Sequence, residues 1–127
     1  MITNIYSTWQ PIPELIGRVV VDKIEDTDEG LVIYIHLSKV KKQFKILFDS
    51  YVAYRNMDES YRSRTFSEHG GFENSLSKVE SSSWLEWLHA ESLGYYLGRD
   101  IKHFSIVTDA DCIDVLSEFE PEIETMK

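Results

Sequence analysis

Apolar and polar residues alternate most regularly from Leu31 to Ser38, with Leu31, Ile33, Ile35 and Leu37 on one side and Val32, Tyr34, His36 and Ser38 on the other. A period of two predicts a strand with one wholly apolar face. The β-branched run Val19, Val20, Val21 and Ile24 predicts an earlier strand over Arg18–Thr27, and Asp26-Thr27-Asp28-Glu29-Gly30 supplies the turn between them. Lys39-Val40-Lys41-Lys42 is a basic turn into a third strand, Gln43–Ser50, in which Phe44, Ile46 and Phe48 share a face. Tyr51–Arg55 continues it or begins a fourth strand. The pattern therefore predicts an antiparallel meander.

Periodicity weakens between Asn56 and Ser82, where a short strand at Ser60–Phe66 is expected before a loop with Gly70-Gly71. Ser83 followed by Glu86 has capping-box spacing, and Trp84, Leu85 and Leu88 form an apolar stripe with Trp87 at its edge. Gly94 is the expected helix stop. Lys102–Val107 alternates as a further strand. Thr108 or Asp109 then caps a second expected helix reaching about Ser117, with Cys112, Ile113, Leu116 and Phe119 inward and Asp111, Asp114 and Glu118 on one outward stripe. The tail frays around Pro121. The expected fold is α+β: an antiparallel β-meander of three to five strands, with two helices from the C-terminal half packed on one face.

Size adds little to this picture: 127 residues make one domain, 1–127, able to bury a core without disulfides or metal. Cys112 is the only cysteine, and no signal peptide or membrane-length apolar run is present, so a soluble cytoplasmic protein is expected. Charge changes more. The formal net charge is −9, and the last nineteen residues hold seven carboxylates against one lysine. This bias disfavours nucleic acid and anionic membranes and favours a basic protein partner.

Established catalytic motifs are absent. The four histidines form no HxxxH, HxH or Cys-His cluster, so neither metal nor cofactor is expected, and His89 and His103 are better read as structural. Cys112 sits among apolar residues beside Asp111 and Asp114, a poor setting for a thiolate. Asp58-Glu59 lies near Arg55, Arg62 and Arg64, which reads as an ion-pair network rather than a hydrolytic site. Lys39, Lys41, Lys42 and Lys45 read as charge protecting a turn and strand edge. Of the aromatics, Trp84 belongs to the core stripe, while Tyr54 and Trp87 are candidate interface anchors.

Two stretches carry a resemblance: Phe44-Lys45-Ile46-Leu47-Phe48 running on to Tyr54–Glu59, and Trp84-Leu85 through Ile101–Thr108 to Asp111–Leu116. Together they resemble small bacterial α+β proteins of uncharacterised function, including immunity proteins of polymorphic or contact-dependent toxin systems. The resemblance covers about half the chain, and its motifs are structural. It implies an uncharacterised α+β family with an immunity-protein role, and it supplies no functional residues. Joined to the acid bias, the leading expectation is an acidic, non-enzymatic inhibitor of a toxin domain; charge and aromatic content, not the resemblance, give Asp111, Asp114, Glu118, Glu120, Glu122 and Glu124 as its expected contact surface, beside Tyr54 and Trp87. The alternative expectation is a small homodimeric structural or regulatory protein.

Overall fold

In the computed structural model, which describes residues 4–126, the chain forms nine strands: β1 (Ile5–Thr8), β2 (Val19–Thr27), β3 (Gly30–Leu37), β4 (Gln43–Phe48), β5 (Tyr51–Asp58), β6 (Leu76–Glu80), β7 (Lys102–Val107), β8 (Asp111–Ser117) and β9 (Glu122–Met126). Two α-helices accompany them, α1 (Ser63–His69) and α2 (Ser83–Glu91), with a 3-10 turn at Glu59–Tyr61. The strands make two antiparallel sheets, ordered β2-β3-β4-β9 and β1-β6-β7-β8-β5. The meander β2-β3-β4 forms as its alternation predicts, with Ile33 opposite both Ile24 and Ile46.

The chain leaves the meander through Asp49-Ser50 and enters the far edge of the second sheet, so β5 pairs with β8 rather than β4. The sheets pack face to face. Leu31, Ile33, Ile35, Phe44, Ile46 and Phe48 of the four-stranded sheet meet Leu76, Phe104, Ile106, Ile113 and Val115 of the five-stranded one. Trp9 and Phe48 both lie against Phe104, with ring centroids 4.9 and 5.3 Å away.

Both helices lie on the outer face of the five-stranded sheet. Trp84, Leu85 and Leu88 of α2 cover Ala53 and Leu116, while Phe66 of α1 joins Phe72 over Val107 and Cys112. The result is three layers, sheet on sheet with helices on one side, and more strands than the expected three to five.

Segment 111–117 is a strand, not the expected helix. Its sheet is covered on both faces, so apolar residues fill both sides of β8: Ile113 and Val115 face the sandwich, Cys112 and Leu116 the helices. That doubly buried pattern mimics helical spacing, and β-branched Ile113 and Val115 favour the extended form. The expected strand at Ser60–Phe66 is instead the 3-10 turn and the start of α1; Asp58 caps the turn by accepting from the Ser60 amide. The expected frayed tail pairs along β4 as β9, with Ile123 opposite Ile46.

α2 also begins and ends one residue away from its expected signals. Ser82, not Ser83, is the N-cap, its hydroxyl accepting from the Leu85 amide at 3.0 Å. At the other end Leu93, not Gly94, takes the first left-handed position, with φ 53°.

Candidate functional site

β8 carries one charged residue into the interior. Alternation along the strand turns Asp114 toward the helices, opposite Ser105 on β7 and Arg55 on β5. Its carboxylate is fully buried and is met from three directions: His103 Nε2 at 2.7 Å, Arg62 Nη1 at 2.8 Å and Arg55 Nε at 3.0 Å. Arg62 arrives from the residue between the 3-10 turn and α1, while His103 stands on β7. Burial alone would raise the Asp114 pKa, but the hydrogen bond from His103 and the charges of Arg55 and Arg62 outweigh it. The carboxyl is held well below the usual carboxylate range.

The network continues into α2. His103 Nδ1 lies 2.7 Å from Ser82 Oγ, the hydroxyl that caps the helix. With the proton assigned to Nε2, every group is satisfied: the Leu85 amide donates to Ser82, Ser82 donates to His103, and His103 donates to Asp114. Trp84 closes the top, with the Arg55 guanidinium 4.4 Å from its ring centroid and the His103 ring edge-on at 5.4 Å.

Serine, histidine and aspartate in line invite comparison with a hydrolase triad, but the imidazole is reversed. A triad turns Nε2 toward the serine and Nδ1 toward the carboxylate; here Nδ1 faces Ser82 and Nε2 faces Asp114. Ser82 is buried, and its oxygen already holds an amide. What this geometry does is fasten β5, β7, β8, α1 and α2 to one charge. Replacing Ser82 with Ala removes the cap and the partner of His103, with an expected loss of about 1–2 kcal/mol. Urea denaturation reads this directly, and an unchanged midpoint would mean the relay contributes nothing.

Of the residues expected to form a contact surface, Asp114 is therefore corrected: it is the buried centre of an ion-pair network. Asp111 is half-buried at the start of β8, three residues from Asp114 and so on the opposite face, and Glu118 is half-buried just past the end of the strand; the three form no stripe. Glu120 is exposed and pairs with Lys78 at 3.1 Å. Glu122 and Glu124 are exposed on β9, opposite Leu47 and Lys45. Tyr54 is half-buried against the sandwich core, edge-on to Tyr51. Trp87 is 51% exposed on α2. These residues are distributed over several elements and do not converge on one site.

The other candidates have ordinary surroundings. Cys112 is buried, and burial pushes its thiol up to about 11, with Arg62 opposing and Asp114 adding to the shift. Asp58 serves the 3-10 turn, and the arginines expected beside it turn elsewhere, Arg55 and Arg62 to Asp114 and Arg64 to Glu68. Histidine chemistry is divided among separate places: His36 Nδ1 bonds Asp22 at 2.8 Å, and His69 stacks on Phe72 at 4.1 Å. His89 Nδ1 is buried without a hydrogen-bond partner among the described residues. Among those residues no group of three or more His, Cys, Asp or Glu is placed to hold a metal ion. No helix among them is long and apolar enough to cross a membrane.

The sequence conceals the Asp114 centre because the spacing of apolar residues in segment 111–117 predicts a helix. A signal was present: an acid between Ile113 and Val115, inside an otherwise apolar run, implies a buried charge that needs cationic partners. No protein-family model, curated protein or solved structure matches the chain, so the reading of its function rests on these residues and their geometry.

Proposed function

We propose that the chain is an acidic, non-enzymatic protein-binding domain, an immunity-type inhibitor of a bacterial toxin. The observation that carries this is the placement of the acid surplus. Of 22 carboxylates only Asp114 is buried; the rest lie exposed or half-buried at the surface against 13 lysines and arginines. A surface of that sign draws a basic protein into encounter and repels nucleic acid. A toxin domain acting on nucleic acid presents such a basic face, and an acidic protein can occupy it.

The test begins with a search for a toxin domain encoded beside this gene and uses that domain, purified, as the binding partner; if no such domain is found and no protein partner is captured, the reading loses its support. Changing Glu118, Glu120, Glu122 and Glu124 together to Gln is expected to slow association about tenfold or more at low salt and to flatten its salt dependence. Unaltered kinetics and salt dependence would remove electrostatic steering from the account. If the wild-type chain does not bind that protein and sediments as a tight homodimer, the reading gives way to the homodimeric structural or regulatory protein.

A further inference from the structure

The segment that leaves α2 exposes apolar surface that the fold does not require. Trp87 is 51% exposed, Leu93 95%, Tyr95 69% and Leu97 68%, all within eleven consecutive residues. Side chains of this size present apolar surface on the order of 400 Å², within the range of a functional patch on a monomer. The segment is ordered by its own turns. The Gly94 amide bonds the His89 carbonyl at 2.8 Å and the Leu93 amide bonds the Ala90 carbonyl at 3.1 Å, the paired bonds of a Schellman helix end. Tyr95 and Leu97 continue with amides bonded to Ser92 and Gly94, and Arg99 lies over the rings of Tyr95 and Tyr96.

Leu93 is the informative residue. A Schellman end normally places glycine where this chain has Leu93, at φ 53°. A leucine there gains nothing from burial and adopts a backbone conformation that its Cβ disfavours. Neither burial nor backbone geometry favours leucine at this position.

The rim identifies the occupant. Glu86 and Glu91 flank the patch, exposed and without an ion pair among the described residues. Lys102 is paired with Asp100 at 3.3 Å and bonds the Glu118 carbonyl at 2.9 Å, while Arg99, exposed over the tyrosine rings, is one cation against Glu86 and Glu91, so the rim stays net negative. A second copy would bring together two chains that each carry a formal charge of −9, which opposes their association. A basic surface with an apolar pocket matches both the anchors and the rim.

We infer that Trp87, Leu93, Tyr95 and Leu97 are the anchoring surface of this chain, and that their occupant is a basic protein that receives Leu93 in an apolar pocket. The inference rests on the proposed binding function and adds the surface and the anchor to it.

Leu93→Gly separates folding from binding. Glycine relieves the left-handed backbone, so the melting temperature is expected to hold or rise by a few degrees. Affinity for the purified partner of the binding test above is expected to fall about tenfold or more. As a second readout, benzoylphenylalanine at position 97 should crosslink to that protein, while the same probe at position 45, on the outer face of the other sheet, should not. If the wild-type chain binds and Leu93→Gly binds equally well, the surface is wrong and the function stands. Crosslinks from position 45 alone have the same meaning. If position 97 crosslinks only to a second copy, the basic partner is wrong. If the wild-type chain does not bind at all, the function falls, and this surface with it.

Discussion

Asp114→Asn is expected to destabilise the fold by about 3–5 kcal/mol, because it breaks a buried ion cluster by removing one partner. Arg62, with its side chain 10% exposed, is left with a charge that neither water nor an amide oxygen can balance. Arg55 is 36% exposed and can turn toward solvent, so Arg62 carries most of the penalty. For a domain of this size the loss corresponds to a fall in Tm of roughly 10 °C or more. Acid should reproduce it. The folded-state pKa of Asp114 is depressed, so its stabilisation is present above the unfolded carboxyl value near 4 and is lost as pH falls through the folded value. The gap in stability between wild type and Asp114→Asn is therefore expected to narrow steadily from about pH 5 to about pH 2. Denaturant titrations across that range decide it: a gap independent of pH would show that the charge of Asp114 is not its source.

Gly30→Ala is expected to be comparably severe, on the order of 3–5 kcal/mol, for a purely steric reason. Gly30 opens β3 at φ 126°, a conformation essentially reserved for glycine. A β-carbon there would lie 2.5 Å from the Phe48 carbonyl oxygen and 2.7 Å from the Asp49 Cα. Both are backbone atoms, so no side chain can turn aside to make room. The strain falls where the β2–β3 hairpin crosses the exit of β4, between Leu31 and Phe48 of the core. Thermal unfolding of the variant should show a large fall in Tm or no folded protein. A Tm within a few degrees of wild type would mean that the hairpin moves freely off β4.

The difference between what the sequence revealed and what it concealed follows from solvent exposure. The β2–β4 meander was legible because one face of its sheet meets water, leaving a clean alternation at Leu31–Ser38 and Gln43–Phe48. β8 was not legible because its sheet is covered on both sides; with Cys112, Ile113, Val115 and Leu116 all buried, the period that identifies a strand disappears. β1 and β6 escaped notice because short strands such as Ile5–Thr8 carry too few residues to establish any period. β9 was hidden by its glutamates, which alternate with Ile123 and suit an edge strand as well as a frayed tail. The exposure of Trp87 was legible from its place beside the helical stripe. The role of Leu93 was not, since Gly94 offered the better chemical signal for a helix end.

The order of strands has a consequence for the chain as it is made. β1 finds its partner only when Glu80 has been synthesised opposite Ile5, and the meander gains its last strand only with Glu122–Met126. The β2-β3-β4 hairpins need no distant residue and can close within microseconds. Their inner face, Leu31, Ile33, Ile35, Phe44, Ile46 and Phe48, is not covered until β7 and β8 arrive at residues 102–117. At ordinary ribosomal speed the interval is on the order of 3–15 s. For those seconds the nascent protein displays a three-stranded sheet, still lacking β9, with six bare hydrophobic side chains, the kind of surface that invites aggregation before the second sheet covers it.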